Sequence, residues 1–443
     1  MNIQLSDHFT YRKLLRFTIP SIAMMIITSI YGVVDGLFVS NVVGAEAFAA
    51  VNLIMPFAMI FASVSFMLST GGSALVGKII GEGNVEKGNQ IFSMLVYLII
   101  GIGIIFGIFG IVFLEPIAIM IGATEELLQY SIPYGTILFI SLPFFMLQTT
   151  FQVFFVVVEK PHMGLIISIA AGLTNVFLDF LFVYFFRWGV TGAAAATAMS
   201  EIVGGMIPFI YFLRKNTSTL RLVRPKWNGK AVIKSATNGA SEMLTNLSMS
   251  LVSVLYNFQL IKIAGADGVA AYGVIMYVTF IFSGIFIGYS IGSAPLISFN
   301  YGARNSQELK NLFKKSLILI GLASLVLVLI AEFLATPLAR IFVGYDLELL
   351  IITSRALKLF SLSFLFSGIN MFASSFFTAL SNGFVSALIS ILRTLVFQVI
   401  MIFLLPLLFG LDGIWLAVVI AELLTLFFTV FAFLVTKRYY RFM

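Results

Sequence analysis

The sequence predicts an all-α polytopic membrane protein of about twelve transmembrane helices, in two six-helix lobes related by a parallel pseudo-two-fold repeat. Three observations carry that expectation. Apolar residues make up 60% of the 443 and charged residues only 10%, too few polar groups to cover the surface of a soluble chain. Apolar stretches recur at about the 20-residue length that a bilayer core requires. The second half of the chain also repeats the first.

On that length ruler, spans are expected near 13–38, 47–77, 91–114, 130–157, 163–186 and 190–213, then 232–261, 267–297, 314–336, 356–380, 384–408 and 412–436. The first is long enough to cross, and no small-residue cleavage pattern follows it, so it reads as a span and not as a signal peptide. Residues 1–213 then form the N-lobe, 214–230 a basic linker and 231–443 the C-lobe. With both termini and the even-numbered connections on one side, that side collects 20 of the 26 Lys and Arg. The positive-inside rule makes it cytoplasmic, in a multi-pass protein of the cell (plasma or inner) membrane. The linker RKNTSTLRLVRPKWNGK reads as a topogenic loop against anionic lipid, and no nucleic-acid partner is expected. There is no Cys, which excludes disulfides and thiol chemistry, and only His8 and His162 could offer imidazole to a metal.

A shift of 221 residues lays the halves over each other without a gap. VGAEAFAAVNLIM (43–55) meets AGADGVAAYGVIM (264–276), and GVTGAAAATAMSE (189–201) meets GLDGIWLAVVIAE (410–422). From Gly44 to Asn84, 13 of 41 positions are identical, more than shared hydrophobicity explains. Each half holds an even number of spans, so both enter the membrane the same way, the arrangement with which some transporters enclose a central cavity.

Against that scaffold, acidic residues at membrane depth stand out, since each costs at least about 2.5–3.5 kcal/mol to insert. Asp35 lies in SIYGVVDGLFVS of the first span. Asp179 lies in TNVFLDFLFVY of the fifth, with Asn175 four residues earlier on the same face. Thr197 sits in the small-residue sixth span. The matched positions are Tyr256, Val396, Ile400 and Val418, so the C-lobe lacks this charge. Two neighbouring buried carboxylates cannot both stay ionised cheaply, and a shared proton or Na⁺ relieves the cost. A proton is slightly favoured, because it needs no complete oxygen cage. Glu201 and Glu422 match each other and read as a shared helix–helix bond. Arg393, matched to Gly172, has Glu422 as a candidate partner. Glu242 lies a third of the way into the seventh span, between a cavity-facing and a headgroup-level position. Pro20 marks a bend candidate in the first span.

Together these residues resemble the multidrug and toxic compound extrusion (MATE) family, in its prokaryotic DinF/MepA-like branch, over essentially the whole chain. The pattern is Pro20 and Asp35 on helix one, Asn175 and Asp179 on helix five, and Thr197 on helix six. The resemblance implies two lobes forming an outward-opening V, and exchange of external H⁺ or Na⁺ for internal amphipathic organic cations. By the same resemblance Asp35, Asn175, Asp179 and Thr197 form the N-lobe cation site. No cofactor beyond the coupling ion, no enzymatic activity and a monomer are expected. Met24, Met25, Phe145, Met146, Gln148, Gln152, Glu242, Met276 and Tyr277 are candidate cavity residues, because Met and aromatic walls adapt to varied apolar ligands. The main alternative is a lipid-linked oligosaccharide or polyprenyl-phosphate flippase, which calls for several basic groups in the cavity. A membrane prenyltransferase wants clustered aspartates, and a channel wants repeat-matched acids.

Overall fold

The computed structural model describes residues 3–344 and 346–443, without the side chains of Leu37 and Ala45. Asn2, expected at the cytoplasmic N-terminus, lies outside the described residues. Ten helices are long and apolar enough to cross a membrane, and the bent pair Leu347–Ser361 and Phe364–Ala379 makes an eleventh crossing. The twelfth is hidden in Gly229–Gly302, whose helical backbone breaks at Gly265 (φ 61°, ψ −149°). Seventy-four residues of straight helix would run about 110 Å, several times the bilayer core, so this element is two spans.

In chain order, spans one to six are Tyr11–Val43, Ala45–Gly81, Val85–Met120, Glu125–Val157, Pro161–Phe185 and Gly189–Leu213. Spans seven and eight are 229–264 and 266–302. Span nine is Ser306–Val343, span ten the bent pair, span eleven Gly383–Phe409 and span twelve Leu411–Tyr440. All twelve expected spans are present, mostly longer than the apolar ruler measures. Span six ends at Leu213 and span seven begins at Gly229, leaving the basic segment between them.

Turn geometry repeats with the sequence. Gly44 and Gly265 both take positive φ between the first two spans of their lobes, and Gly189 and Gly410 do so before the sixth. Asn84 and its match Asn305 both cap the following span, accepting from the backbone N–H three residues on. Span ten departs from its expected single helix with a 47° bend. No Pro or Gly lies there; the Ser361 hydroxyl donates to the Lys358 carbonyl at 2.8 Å and the Ser363 N–H to the Phe360 carbonyl. There the helical ladder gives way to three-residue backbone bonds, with the Ser361 hydroxyl on a further carbonyl.

The lobes meet at the end that carries the termini. A side chain at Gly81 of span two would collide with the Phe299 carbonyl of span eight, and one at Gly302 with the Lys78 carbonyl. These contacts exchange under the 221-residue shift, so the pseudo-two-fold axis passes between them. An N-terminal strap reinforces this end. The Leu5 N–H donates to Glu159 of the N-lobe at 2.7 Å. The Phe9 N–H donates to Glu308 of the C-lobe at 2.9 Å, and His8 Nδ1 lies 2.6 Å from the same carboxylate. Burial pushes the Glu159 carboxyl above its usual range, against the opposing pull of the Leu5 bond. At the far end the discontinuous turns after spans one and five pack on their own lobe.

This crossing yields a first prediction. Gly81→Leu must separate spans two and eight. Ser298, fully buried on span eight, reports it: with no native Cys, a lone Ser298→Cys should be inert to thiol reagents and become reactive when Gly81→Leu is added. Unchanged labelling would mean that the crossing does not hold this end shut.

A candidate cation site in the N-lobe

Helix geometry brings the acidic residues of the N-lobe to one level. Asp35 lies eight residues before the end of span one, Asp179 six before the end of span five, and Thr197 eight after the start of span six. At 1.5 Å per residue, all three sit about 9–12 Å in from the face opposite the termini. Spans one and five run up to that face and span six down from it, so one pocket collects side chains from all three.

The contacts bear this out. Thr197 Oγ1 donates to Asp35 Oδ1 at 3.4 Å, and Asn175 Nδ2 to Thr197 Oγ1 at 3.5 Å. Asp35 also lies within side-chain reach of Asp179 and Asn175. Asp35 is 8% exposed, Asn175 2% and Asp179 0%. Among the described residues neither oxygen of Asp179 has a hydrogen-bond donor, and Asn175 Oδ1 also lacks one. No Lys, Arg or His forms an ion pair with any of them there. Both aspartates adjoin irregular helix: five-residue-bonded turns cover Val39–Val43 and Phe180–Phe185. Such π-turns are frequent at functional sites, where they turn side chains off the regular helical register. What the pocket offers is a set of inward oxygens with excess negative charge and no fixed cation.

The helix of span one runs unbroken through Pro20. The ring still removes the bond to the Arg16 carbonyl, as any mid-helix proline does.

The candidate cavity residues divide. Met24 (1% exposed) packs towards Gly164 and Met146 (0%) against Gly103 of span three, so both fill the N-lobe interior and do not line an open cleft. Their side chains are apolar and fit the helix interface, and sequence alone cannot distinguish that from a cavity wall. Met25 meets Gly284 across the lobes, and Phe145 packs edge-on to Phe66. Gln152 donates to Ser168 at 3.1 Å within the N-lobe. Gln148 is buried over Gly204. Met276 packs on the C-lobe core, and Tyr277 stacks on Phe342 of span nine with ring centroids 5.9 Å apart. Glu242 is half-buried in span seven and feels the charge of Arg393.

In the C-lobe, Arg393 Nε lies 3.5 Å from Glu422 Oε1, and Asn370 Nδ2 donates to Glu422 Oε2 at 2.8 Å. Thr429 closes the cluster on Asn370 Oδ1 at 2.9 Å. Glu201 has a different setting. Ser141 of span four bonds it, as Asn370 of span ten bonds Glu422, but its Oε2 is buried with no hydrogen-bond partner among the described residues and no basic side chain pairs with it there. Glu201 and the fully buried Tyr134 hydroxyl, which also lacks a partner among the described residues, both lie close enough to Asp35 to feel its charge. The readable signal of the difference between the glutamates was the swap of Arg393 for Gly172.

Twelve spans in two matched lobes, one with an uncompensated acidic pocket, define a two-lobed membrane transporter. The sequence model of the MatE family matches twice, at residues 20–181 and 242–404, once in each lobe. The chain belongs to that family. The multidrug export protein MepA of Staphylococcus haemolyticus is 24% identical over 95% of this chain and 92% of its own, and that of Staphylococcus saprophyticus 25% identical over 93% and 91%. The fold is that of an outward-facing multidrug resistance MATE family transporter of the MOP superfamily, with TM-score 0.93, 21% identity and coverage of 100% and 99% of the two chains.

Proposed function

We propose that the protein exports amphipathic organic cations across the cell membrane in exchange for H⁺ or Na⁺ bound among Asp35, Asn175, Asp179 and Thr197. One observation carries the reading: Asp35 faces Asp179 in a buried pocket without a fixed counter-charge. Two unit charges 4 Å apart repel by about 4 kcal/mol at an effective dielectric of 20. A proton shared between the carboxyls, or a Na⁺ held by them with the amide and hydroxyl oxygens, removes that repulsion. The pocket lies near the face opposite the termini, where an external cation would enter. Closure at the terminal end agrees with an outward-open resting form, the state named for the solved relative.

The resemblance to MepA, named a multidrug export protein, supports drug-like cargo. The flippase alternative calls for several basic groups in the cavity, whereas the buried Arg393 within span eleven already has Glu422 as a counter-charge. Proteoliposomes with separately imposed pH and Na⁺ gradients test the reading: one gradient should drive ethidium uptake and its collapse should stop it. Transport of lipid-linked sugars with indifference to every cationic dye would replace it.

Orientation follows from the basic residues, 20 of which lie on the side of the termini and linker. A cysteine placed at Asn216, in the linker, should resist an impermeant thiol reagent in intact cells and react after lysis. Ready labelling from outside would invert the topology and with it the direction of exchange.

A further inference from the structure

The two lobes treat the same buried glutamate differently. Glu422 on span twelve is neutralised by Arg393 at 3.5 Å and bonded by Asn370. In the N-lobe the matched positions are Gly172 and Thr149. Thr149 spends its hydroxyl on Ser65 at 3.1 Å and on the Met146 carbonyl. Gly172 leaves no side chain, and the ring of Tyr31 fills the space, 2.9 Å from where a Cβ would stand. Tyr31 in turn matches Val252. By sequence match, the Arg393 and Val252 of the C-lobe are thus exchanged for a glycine with a tyrosine against it in the N-lobe.

Glu201 keeps the carboxylate and loses the cation. It is 6% exposed and its Oε2 has no partner among the described residues. The titratable groups facing it are Tyr31 and Asp35 of span one and Tyr134 of span four. No Lys, Arg or His forms an ion pair with it among the described residues. Neutral oxygens surround it: Ser141 faces it, Tyr31 reaches Gln148, and the Tyr134 hydroxyl is buried without a partner. Glu201 lies one helical turn beyond Thr197 on the same face of span six, deeper in the membrane. A charge held there without compensation would cost several kcal/mol.

We propose that Glu201 is a second monovalent-cation position of the N-lobe, holding a mobile H⁺ or Na⁺ where the C-lobe holds the fixed guanidinium of Arg393. This rests on the exchange reading for its purpose, but it is tested by binding alone. The upper pocket at Asp35 and Asp179 and the deeper carboxylate then form two stations one turn apart. Loading the first changes the field at the second. An exchanger so built moves up to two cations per cycle.

The test is a count of bound cations on the detergent-purified full chain. Proton exchange between pH 5.5 and 8.5 in Na⁺-free buffer gives the H⁺ arm, and equilibrium binding of radioactive Na⁺ at pH 8.5 gives the Na⁺ arm. Glu201→Gln should hold one cation fewer than the parent in one arm, with Asp35 and Asp179 still titrating. The double variant Gly172→Arg, Tyr31→Ala supplies the C-lobe's fixed cation and should also lower the count by one, which guards against a misfolded Glu201→Gln. An unchanged count in either folded variant overturns the proposal. A lowered count in a protein that exchanges no organic cation would keep this site and overturn the transport reading instead.

Discussion

Asp35→Asn should reduce gradient-driven efflux of an organic cation to the rate of empty vesicles while leaving the protein folded. The substitution keeps the side-chain volume and the acceptor for Thr197 Oγ1, so the packing of spans one and six survives. What it removes is one of two facing buried charges, and with it the repulsion that a bound cation would relieve, about 4 kcal/mol for two unit charges 4 Å apart. Without that difference, loading and unloading no longer change the relative stability of two lobe arrangements. A ligand can shift a conformational equilibrium only by its differential affinity for the two states. Thermal stability should be equal or slightly higher, since a buried like-charge contact is gone. Thr197→Val is the graded control. It deletes one neutral oxygen worth roughly 1 kcal/mol and should weaken cation dependence several-fold without abolishing exchange. Full ion-driven transport by the Asp35→Asn, Asp179→Asn double variant would remove the site from the mechanism.

How much of this was legible in the sequence depends on which physical signal each feature leaves. The repeat was legible because Gly44/Gly265 and Gly189/Gly410 need backbone angles that other residues resist, so the glycines mark both turns. The N-lobe pocket was legible because a carboxylate within an apolar span has few innocent explanations, and the spacing of Asn175 and Asp179 fixes a common face. The bend in span ten left no Pro or Gly to read; what lies at it is a Ser361 hydroxyl on the Lys358 carbonyl and a backbone bond from Ser363 to Phe360. Met24 and Met146 were misleading for a related reason. An apolar side chain carries no mark that separates a cavity wall from a helix interface. The glutamate pair was the subtler case. Glu201 and Glu422 look equivalent when aligned with each other, and their difference appears only when the facing positions, Gly172 and Arg393, are aligned as well. Identity of a residue is readable along the chain; identity of its partner needs the fold.

That partner makes Arg393 the residue whose loss should cost the fold most. Removing one member of a buried ion pair leaves the other uncompensated, at about 3–5 kcal/mol. Arg393→Met keeps the length and apolar stem but strands Glu422, and takes from Glu242 the positive charge that offsets its burial. For a chain of this size, roughly one degree of melting temperature accompanies each kcal/mol, so the midpoint in detergent should fall by about 3–5 °C. Adding Glu422→Gln should recover most of that loss, because the amide oxygen still accepts from Asn370 and no charge remains to be neutralised. The coupling between the two substitutions, read from the double-mutant cycle, is the measured strength of the pair. Independent, additive effects would show that Arg393 contributes packing alone. The N-lobe supplies the contrast within the same molecule. Glu201→Gln removes a carboxylate with no fixed cation, so it should leave the midpoint unchanged or raise it at high pH, where no proton is available to neutralise the parent. One glutamate is held by the protein's own arginine; its repeat-mate depends on the solution for its counter-charge.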